Sequence, residues 1–169
     1  MDLREAFEAA GFCAAEPLAE QARRQHLSRL GGEIPAEVEA FYEQCDGGTL
    51  QRLSCRAYPL SEAVGLMRIY NFRADIRYLP FFVAVENESD PCMVGLEPPL
   101  TGYVFQHCHD DVSRILAPSI SSFFHALASQ DDDEFFCIEE AAFLYPKDLS
   151  DAEQATFDGM MARSMTDLE

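Results

Sequence analysis

The sequence contains no segment of the kind that crosses a membrane or directs export. No window approaches the roughly 20 consecutive apolar residues that a membrane-spanning helix needs. Residues 1–5 carry charges of both signs, and no apolar run followed by small residues comes after them. We therefore expect no secretory signal and a cytoplasmic protein that makes no use of a membrane.

Paired cysteines of the kind that hold zinc or form a disulfide framework are also missing. The chain has six cysteines, and no two of them form a C-x-x-C pair. They are Cys13, Cys45, Cys55, Cys92, Cys108 and Cys137. Buried free cysteine packs as a small apolar residue, so we expect reduced, structural thiols and no cofactor held by them.

Basic residues are scarce, above all in the second half of the chain. The whole sequence has 30 acidic residues against 12 basic ones. Residues 1–80 hold 12 acidic and 9 basic side chains, whereas residues 81–169 hold 18 and 3. This balance argues against nucleic-acid binding, which needs cations opposite phosphate. It favours a basic protein partner; the alternative is an acidic surface that serves solubility alone.

The motifs of nucleophilic and phosphate-binding enzymes are absent too. There is no G-x-S-x-G elbow, and neither Gly-Gly pair is followed by the Lys-Ser/Thr of a phosphate loop. Both pairs, Gly31 with Gly32 and Gly47 with Gly48, are typical of helix ends. The usual motifs of nucleophilic and phosphate-binding catalysis are therefore absent, and a Cys–His pair such as Cys45 with His125 rests on the residue types alone.

One cluster nevertheless resembles a metal-binding site. His107 and His109 alternate along a predicted strand, so both side chains point to one side, and Asp110 and Asp111 follow. A zinc site needs three or four protein ligands, and no second Cys/His cluster supplies the rest. The simpler interpretation is a strand that ends in an Asp-Asp turn. A metal-dependent hydrolase at His107 and His109 remains the third functional hypothesis.

Apolar spacing predicts helices at both ends of the chain and strands between them. We predict helices after residue 2, from Pro17, from Pro35 and from Ser61, and one capped by Ser119. Strands are predicted within residues 49–60 and at 81–85, 92–96, 103–107 and 113–117, with a turn at 86–91 and no strand before residue 49. A last helix from Ser150 has an apolar stripe that serves as core contact or as a docking surface: Phe157, Met160, Met161, Met165 and Leu168.

Together these elements indicate an α+β domain. Short strands with short connections favour an antiparallel sheet, and a mixed sheet stays open as the alternative. We expect about five or six strands packed against flanking helices, with the second face of the sheet open. A single domain is expected over residues 1–169.

An ordered series of short motifs resembles the SUKH superfamily, which includes cell-wall-assembly-regulator-like and Syd-like domains. Its parts are a Leu/Ile-Pro helix start, an apolar helix face, an Asp-Gly-Gly stop, a buried strand, a Gly-x-Val-aromatic strand running to His-Asp, and a Ser-Phe helix start. They are matched by Ile34 and Pro35; Val38, Phe41 and Tyr42; Asp46, Gly47 and Gly48; residues 79–85; Gly102, Val104, Phe105, His109 and Asp110; and Ala117, Ser119, Phe123 and Phe124. The resemblance covers about residues 20–130 and leaves 131–169 as an extension. Residues 86–91 lack the family's Asp-Gly turn.

What the resemblance implies is a binding domain without catalytic residues. Many bacterial members look like immunity proteins, which block a cognate toxin, frequently a nuclease. Our leading hypothesis is therefore an immunity protein of a toxin–antitoxin pair that neutralises a basic toxin domain by stoichiometric binding. The acidic side chains expected to contact the toxin are Asp110, Asp111, Asp131, Asp132, Asp133 and Glu134. The second hypothesis is a regulatory or scaffold module, which relies on the methionine face of the last helix.

Overall fold

The α+β class is confirmed, and the sheet has seven strands rather than the five or six expected. The computed structural model describes residues 2–70, 77–85, 87–98, 100–106, 114–129 and 155. Its helices are α1 (Leu3–Ala10), α2 (Glu20–Leu27), α3 (Ala36–Gln44), α4 (Leu60–Tyr70) and α5 (Ile120–Ala128). Its strands are β1 (Cys13–Ala14), β2 (Gly48–Leu50), β3 (Cys55–Ala57), β4 (Tyr78–Ala84), β5 (Asn87–Gly95), β6 (Val104–Gln106) and β7 (Arg114–Ala117).

The strands form an antiparallel meander. Their order in the sheet is the order in the chain, and each strand pairs with the next in antiparallel orientation. Short connections between neighbouring strands favour this arrangement, as the sequence indicated. The seventh strand is β1, which precedes residue 20 and was not predicted. At two residues it is too short to show an alternating pattern.

Helices begin or end at the predicted residue where that residue forms a cap. Asp2 and Glu5 form a capping box at the start of α1, and Gly11 ends that helix with a φ of 71°. Ser119 caps α5 as predicted, since its side chain accepts a hydrogen bond from the Ser122 amide. The helix predicted from Pro17 begins only at Glu20, and α4 begins at Leu60, before the predicted cap at Ser61.

The turn predicted at residues 86–91 is wrong. From residue 87 onward this segment belongs to β5, which runs through Pro91 to Gly95. Within the described residues, β6 pairs with residues 92–94 of β5, and this pairing does not include Pro91. The β4–β5 register also shifts there, between Phe82 and Ala84. Proline is tolerated at edges and bulges because no ladder hydrogen bond is required of it.

The five helices α1 to α5 of the described ranges pack on one face of the sheet around a phenylalanine-rich core. Rings from α1, the turn after it, α3, β4 and α5 contact one another at centroid distances of 4.7–6.5 Å. The rings are Phe7, Phe12, Phe41, Phe81, Phe82, Phe123 and Phe124, and each of them is at most 7% exposed. Because α1 contributes to this core, the folded unit begins well before residue 20.

The second face of the sheet is buried as well, contrary to the expectation of an open face. Tyr78, Met93 and Phe105 alternate with the core-facing Leu79 and its neighbours, so they point away from the helices. They are 6%, 0% and 1% exposed. The Tyr78 and Phe105 rings contact each other, with centroids 5.7 Å apart.

None of the helices described here is long and apolar enough to cross a membrane. The longest, α4, has only 11 residues.

Candidate functional site: an acidic groove at the sheet edge

The side chains predicted to contact a toxin lie outside the described residues. This holds for Asp110 and Asp111, for the run Asp131, Asp132, Asp133 and Glu134, and for His107 and His109. The methionine stripe of the predicted last helix lies outside as well. Within the described ranges, no group of three or more His, Cys, Asp or Glu side chains is placed to hold a metal ion.

An open groove of about 560 Å³ lies beside β1 in the described part of the chain. It runs between α1, the segment from Phe12 to Pro17, and the end of α3. Gly11 makes this possible, because its left-handed conformation turns the chain back and lets the Phe12 amide donate to the Phe7 carbonyl at 2.9 Å. Phe7 and Phe12 therefore form an apolar floor, with ring centroids 4.9 Å apart.

The rim of the groove is acidic. Glu8 from α1, Glu16 after β1 and Glu43 from α3 line it, with Arg4 as the one cation among the lining residues. Glu43 is paired with Arg23 at 3.2 Å. Glu8 and Glu16 are exposed and make no ion pair with the described residues. The groove thus presents free carboxylates over an apolar floor.

One wall of the groove is the outer edge of the sheet. Cys13 pairs with Thr49, and the Ala15 amide donates to the Gly47 carbonyl at 3.0 Å, so both residues direct their backbone groups toward β2. Backbone groups alternate in direction along a strand, and the amide and carbonyl of Ala14 therefore point away from β2. Residues 13–17 are all exposed, which leaves this edge open to solvent.

Arg52 and Arg56 make hydrogen bonds within the fold and do not form a cationic surface. Arg52 donates to the Ala10 carbonyl at 3.0 Å and also to the Leu127 carbonyl. Arg56 donates to Glu62 and Glu88, and these hydrogen bonds raise its pKa further above the ordinary value. These internal uses leave few cations to offset the acidic surface.

Arg77, directly before β4, is likewise engaged internally. Its side chain donates to Glu97 at 3.0 Å and to the Leu30 carbonyl at 2.8 Å. The Glu97 carboxylate also accepts the Arg77 backbone amide, and this hydrogen bond, followed by the side-chain one, lowers the pKa of Glu97. The Arg77–Glu97 pair therefore joins the start of β4 to the segment after β5.

The thiols of the core are poorly suited to nucleophilic chemistry. Burial raises the pKa of Cys45 and of Cys55 to about 12 in each case. A reactive cysteine needs the opposite shift, because the thiolate is the nucleophile. Both thiols are also used locally, since Cys45 donates to the Phe41 carbonyl and Cys55 to the Leu53 carbonyl.

Sequence reasoning missed this groove. Glu8, Glu16 and Glu43 are spread over three elements, and nothing in their spacing marks them among 30 acidic residues. The strand that brings them together is only two residues long. The one signal available was Gly11, since glycine readily adopts the left-handed conformation that ends α1 here.

A scan of protein-family models found no family that matches this chain, and a search of curated proteins found no matching relative.

Proposed function

We propose that this protein is a non-catalytic binding domain that takes a basic protein partner. The observation that carries the proposal is the open groove beside β1, where Glu8 and Glu16 make no ion pair with the described residues and lie beside the floor formed by Phe7 and Phe12. Such a surface attracts and orients a cationic protein, and the acidic excess of the whole chain extends the attraction over a longer range. The same charges repel nucleic acid and anionic lipid.

We further propose that the partner is a toxin domain of the nuclease type, which the protein neutralises by stoichiometric binding in the cytoplasm. Nucleases need a cationic groove for their substrate, and an acidic protein surface is complementary to it. The resemblance to SUKH immunity proteins supports this role. Asp110, Asp111, Asp131, Asp132, Asp133 and Glu134 are proposed to extend the contact beyond the groove.

The test begins with the tagged protein immobilised and eluted with a salt gradient after exposure to a lysate of the cell that produces it. Three versions are compared: the natural chain, a Glu8→Gln/Glu16→Gln variant and a Glu33→Gln/Glu39→Gln variant. Both variants lose two negative charges, but Glu33 and Glu39 are exposed sites outside the groove lining. A groove partner elutes at lower salt from the first variant than from the other two proteins. Charge reversal at Asp110 and Asp111 and at residues 131–134 tests the second acidic surface in the same way.

Toxin neutralisation is then tested on the captured partner. The partner expressed alone is expected to stop growth, and co-expression of this protein is expected to restore it through a 1:1 complex. A partner that is harmless alone would contradict the immunity role and leave a regulatory module. Equal elution from all charge variants would contradict the acidic surfaces as binding sites.

A further inference from the structure

We infer that the open edge of β1 captures an extended, basic segment of the partner as an additional strand of the sheet. This inference rests on the proposed function, since it assumes a basic protein partner, and it adds the mode of recognition. Strand addition uses main-chain hydrogen bonds for affinity and pockets for alternate side chains for specificity. The β1 edge and the groove beside it supply both.

The main-chain part comes from Ala14. Its amide and carbonyl point away from β2, and its neighbours in the range 13–17 are exposed. An exposed strand edge of this kind is a ready template for another chain. The edge is short and ends at Pro17, which keeps it from pairing indiscriminately and makes binding depend on additional side-chain contacts.

Those side-chain contacts come from the groove. A segment lying along β1 would direct every second side chain toward the groove, where the exposed Ala14 and Ala15 and the edges of the nearly buried Phe7 and Phe12 rings offer apolar contact. Its lysine or arginine side chains would reach the rim, where Glu8 and Glu16 have no partner among the described residues. The guest is therefore an extended segment in which apolar and basic residues occur together.

A second copy of this chain is a poor occupant of the same edge. Each copy carries a net charge of −18, and pairing of two β1 edges would bring the Glu16 side chains and the acidic rims together. Such like-charge contacts oppose association. A basic segment meets the opposite situation and is attracted at long range.

The test uses the full chain and, as probe, a short acetylated peptide of alternating lysine and valine. The diagnostic readout is hydrogen exchange of single amides by NMR. The Ala14 amide should exchange more slowly once the peptide is bound, whereas the Ala15 amide, already bonded to Gly47, should change little. A fully N-methylated peptide of the same sequence keeps the charges but loses the amide donors, and it should bind about tenfold more weakly.

A protein variant gives the matched experiment. Ala14→Pro removes an amide that does not face β2, so pairing with β2 can persist. We expect Ala14→Pro to weaken binding of the unmodified peptide by about tenfold, because one hydrogen bond is lost and its acceptor is left unpaired. Ala19→Pro is the control, because Ala19 is exposed and already has a φ of −54°. Circular dichroism checks that both variants fold. If Ala14→Pro does not fold, the N-methylated peptide still tests strand addition on the natural chain.

The outcomes separate the binding mode from the proposed function. Undiminished binding of the N-methylated peptide, no binding of either peptide, or unchanged exchange at Ala14 would each overturn strand addition. A cellular partner that needs Glu8 and Glu16 but tolerates Ala14→Pro would keep the basic-partner proposal and reject this mode. Slowed exchange at Ala14 with the peptide, but no basic partner in the cell, would keep the mode and reject the function.

Discussion

At the scale of single residues, burial decides the ionisation of the core thiols. In the folded protein the pKa values of Cys45 and Cys55 are about 12, against an ordinary value of 9.0. Between these values the unfolded chain loses a proton that the folded chain keeps. Stability is therefore unaffected by these groups below pH 9 and falls as the pH rises from 9 toward 12.

We expect the free energy of unfolding, measured by urea denaturation at a series of pH values, to decrease above pH 9. Cys45→Ser should make that decrease shallower, because serine can keep the hydrogen bond to the Phe41 carbonyl and does not titrate. Cys13→Ser, at an exposed thiol, is the control and should leave the slope unchanged. A Cys45→Ser profile parallel to that of the natural chain would contradict this account.

Gln106 has a buried polar atom without a hydrogen-bond partner among the described residues. The side chain is 5% exposed, and the atom is its Oε1. A buried acceptor without a partner destabilises the folded state, so an apolar side chain of similar length should be better tolerated. We expect Gln106→Met to raise the free energy of unfolding by about 1 kcal/mol. Gln21→Met, at an exposed site in α2, should change it by less than about 0.5 kcal/mol, and a destabilised Gln106→Met variant would contradict the prediction.

At the scale of secondary-structure elements, one carboxylate joins two helices. Glu37 in α3 accepts hydrogen bonds from the Ile120 amide at 2.6 Å and from the Ser121 hydroxyl at 2.9 Å. It therefore places a negative charge at the first turn of α5, where free amides favour anions. We expect Glu37→Ala to reduce the free energy of unfolding by about 2 kcal/mol, since the buried end of α5 loses its acceptor.

The controls for Glu37 come from the same helix and the same position. Glu39→Ala removes an exposed carboxylate of α3 and should have little effect, within about 0.5 kcal/mol. Glu37→Gln keeps an acceptor but loses the charge, so its effect should lie between the two. Equal unfolding curves for Glu37→Ala and Glu39→Ala would show that this contact does not hold α5.

The elements that sequence reasoning predicted correctly have strong local signals. The buried face of α3, with Val38, Phe41 and Tyr42, follows from helical spacing, and the start of α5 follows from Ser119. The errors fall where tertiary contacts override such signals. Pro91 lies in a strand at the point where the β4–β5 register shifts, and β1 exists only because β2 offers it a partner. The groove depends on β1, so it was beyond the reach of the sequence alone.

At the scale of the whole molecule, the sheet buries side chains on both faces, although the described helices all lie on one of them. The buried side chains of all five described helices join the core on one face. Tyr78, Met93 and Phe105 on the other face are nevertheless buried. Forty residues follow Ser129, and their sequence carries the apolar stripe that includes Met160 and Met161. Shortening the chain at residue 129 therefore tests whether the second face depends on the C-terminal segment.

We expect a chain shortened to residues 1–129 to lose several kcal/mol of unfolding free energy, because burial of each large apolar side chain contributes about 1.5–3 kcal/mol. It should also bind an apolar dye such as anilinonaphthalene sulfonate, and the full chain should not. Met160→Ser/Met161→Ser in the full chain should have a smaller effect in the same direction if the stripe packs internally. If the shortened chain unfolds like the full chain and binds no dye, the second face does not depend on residues 130–169. If the shortened chain is that stable, and Met160→Ser/Met161→Ser in the full chain loses the partner while charge reversal at residues 131–134 keeps it, the methionine stripe is a docking surface, and the regulatory-module hypothesis gains over toxin neutralisation.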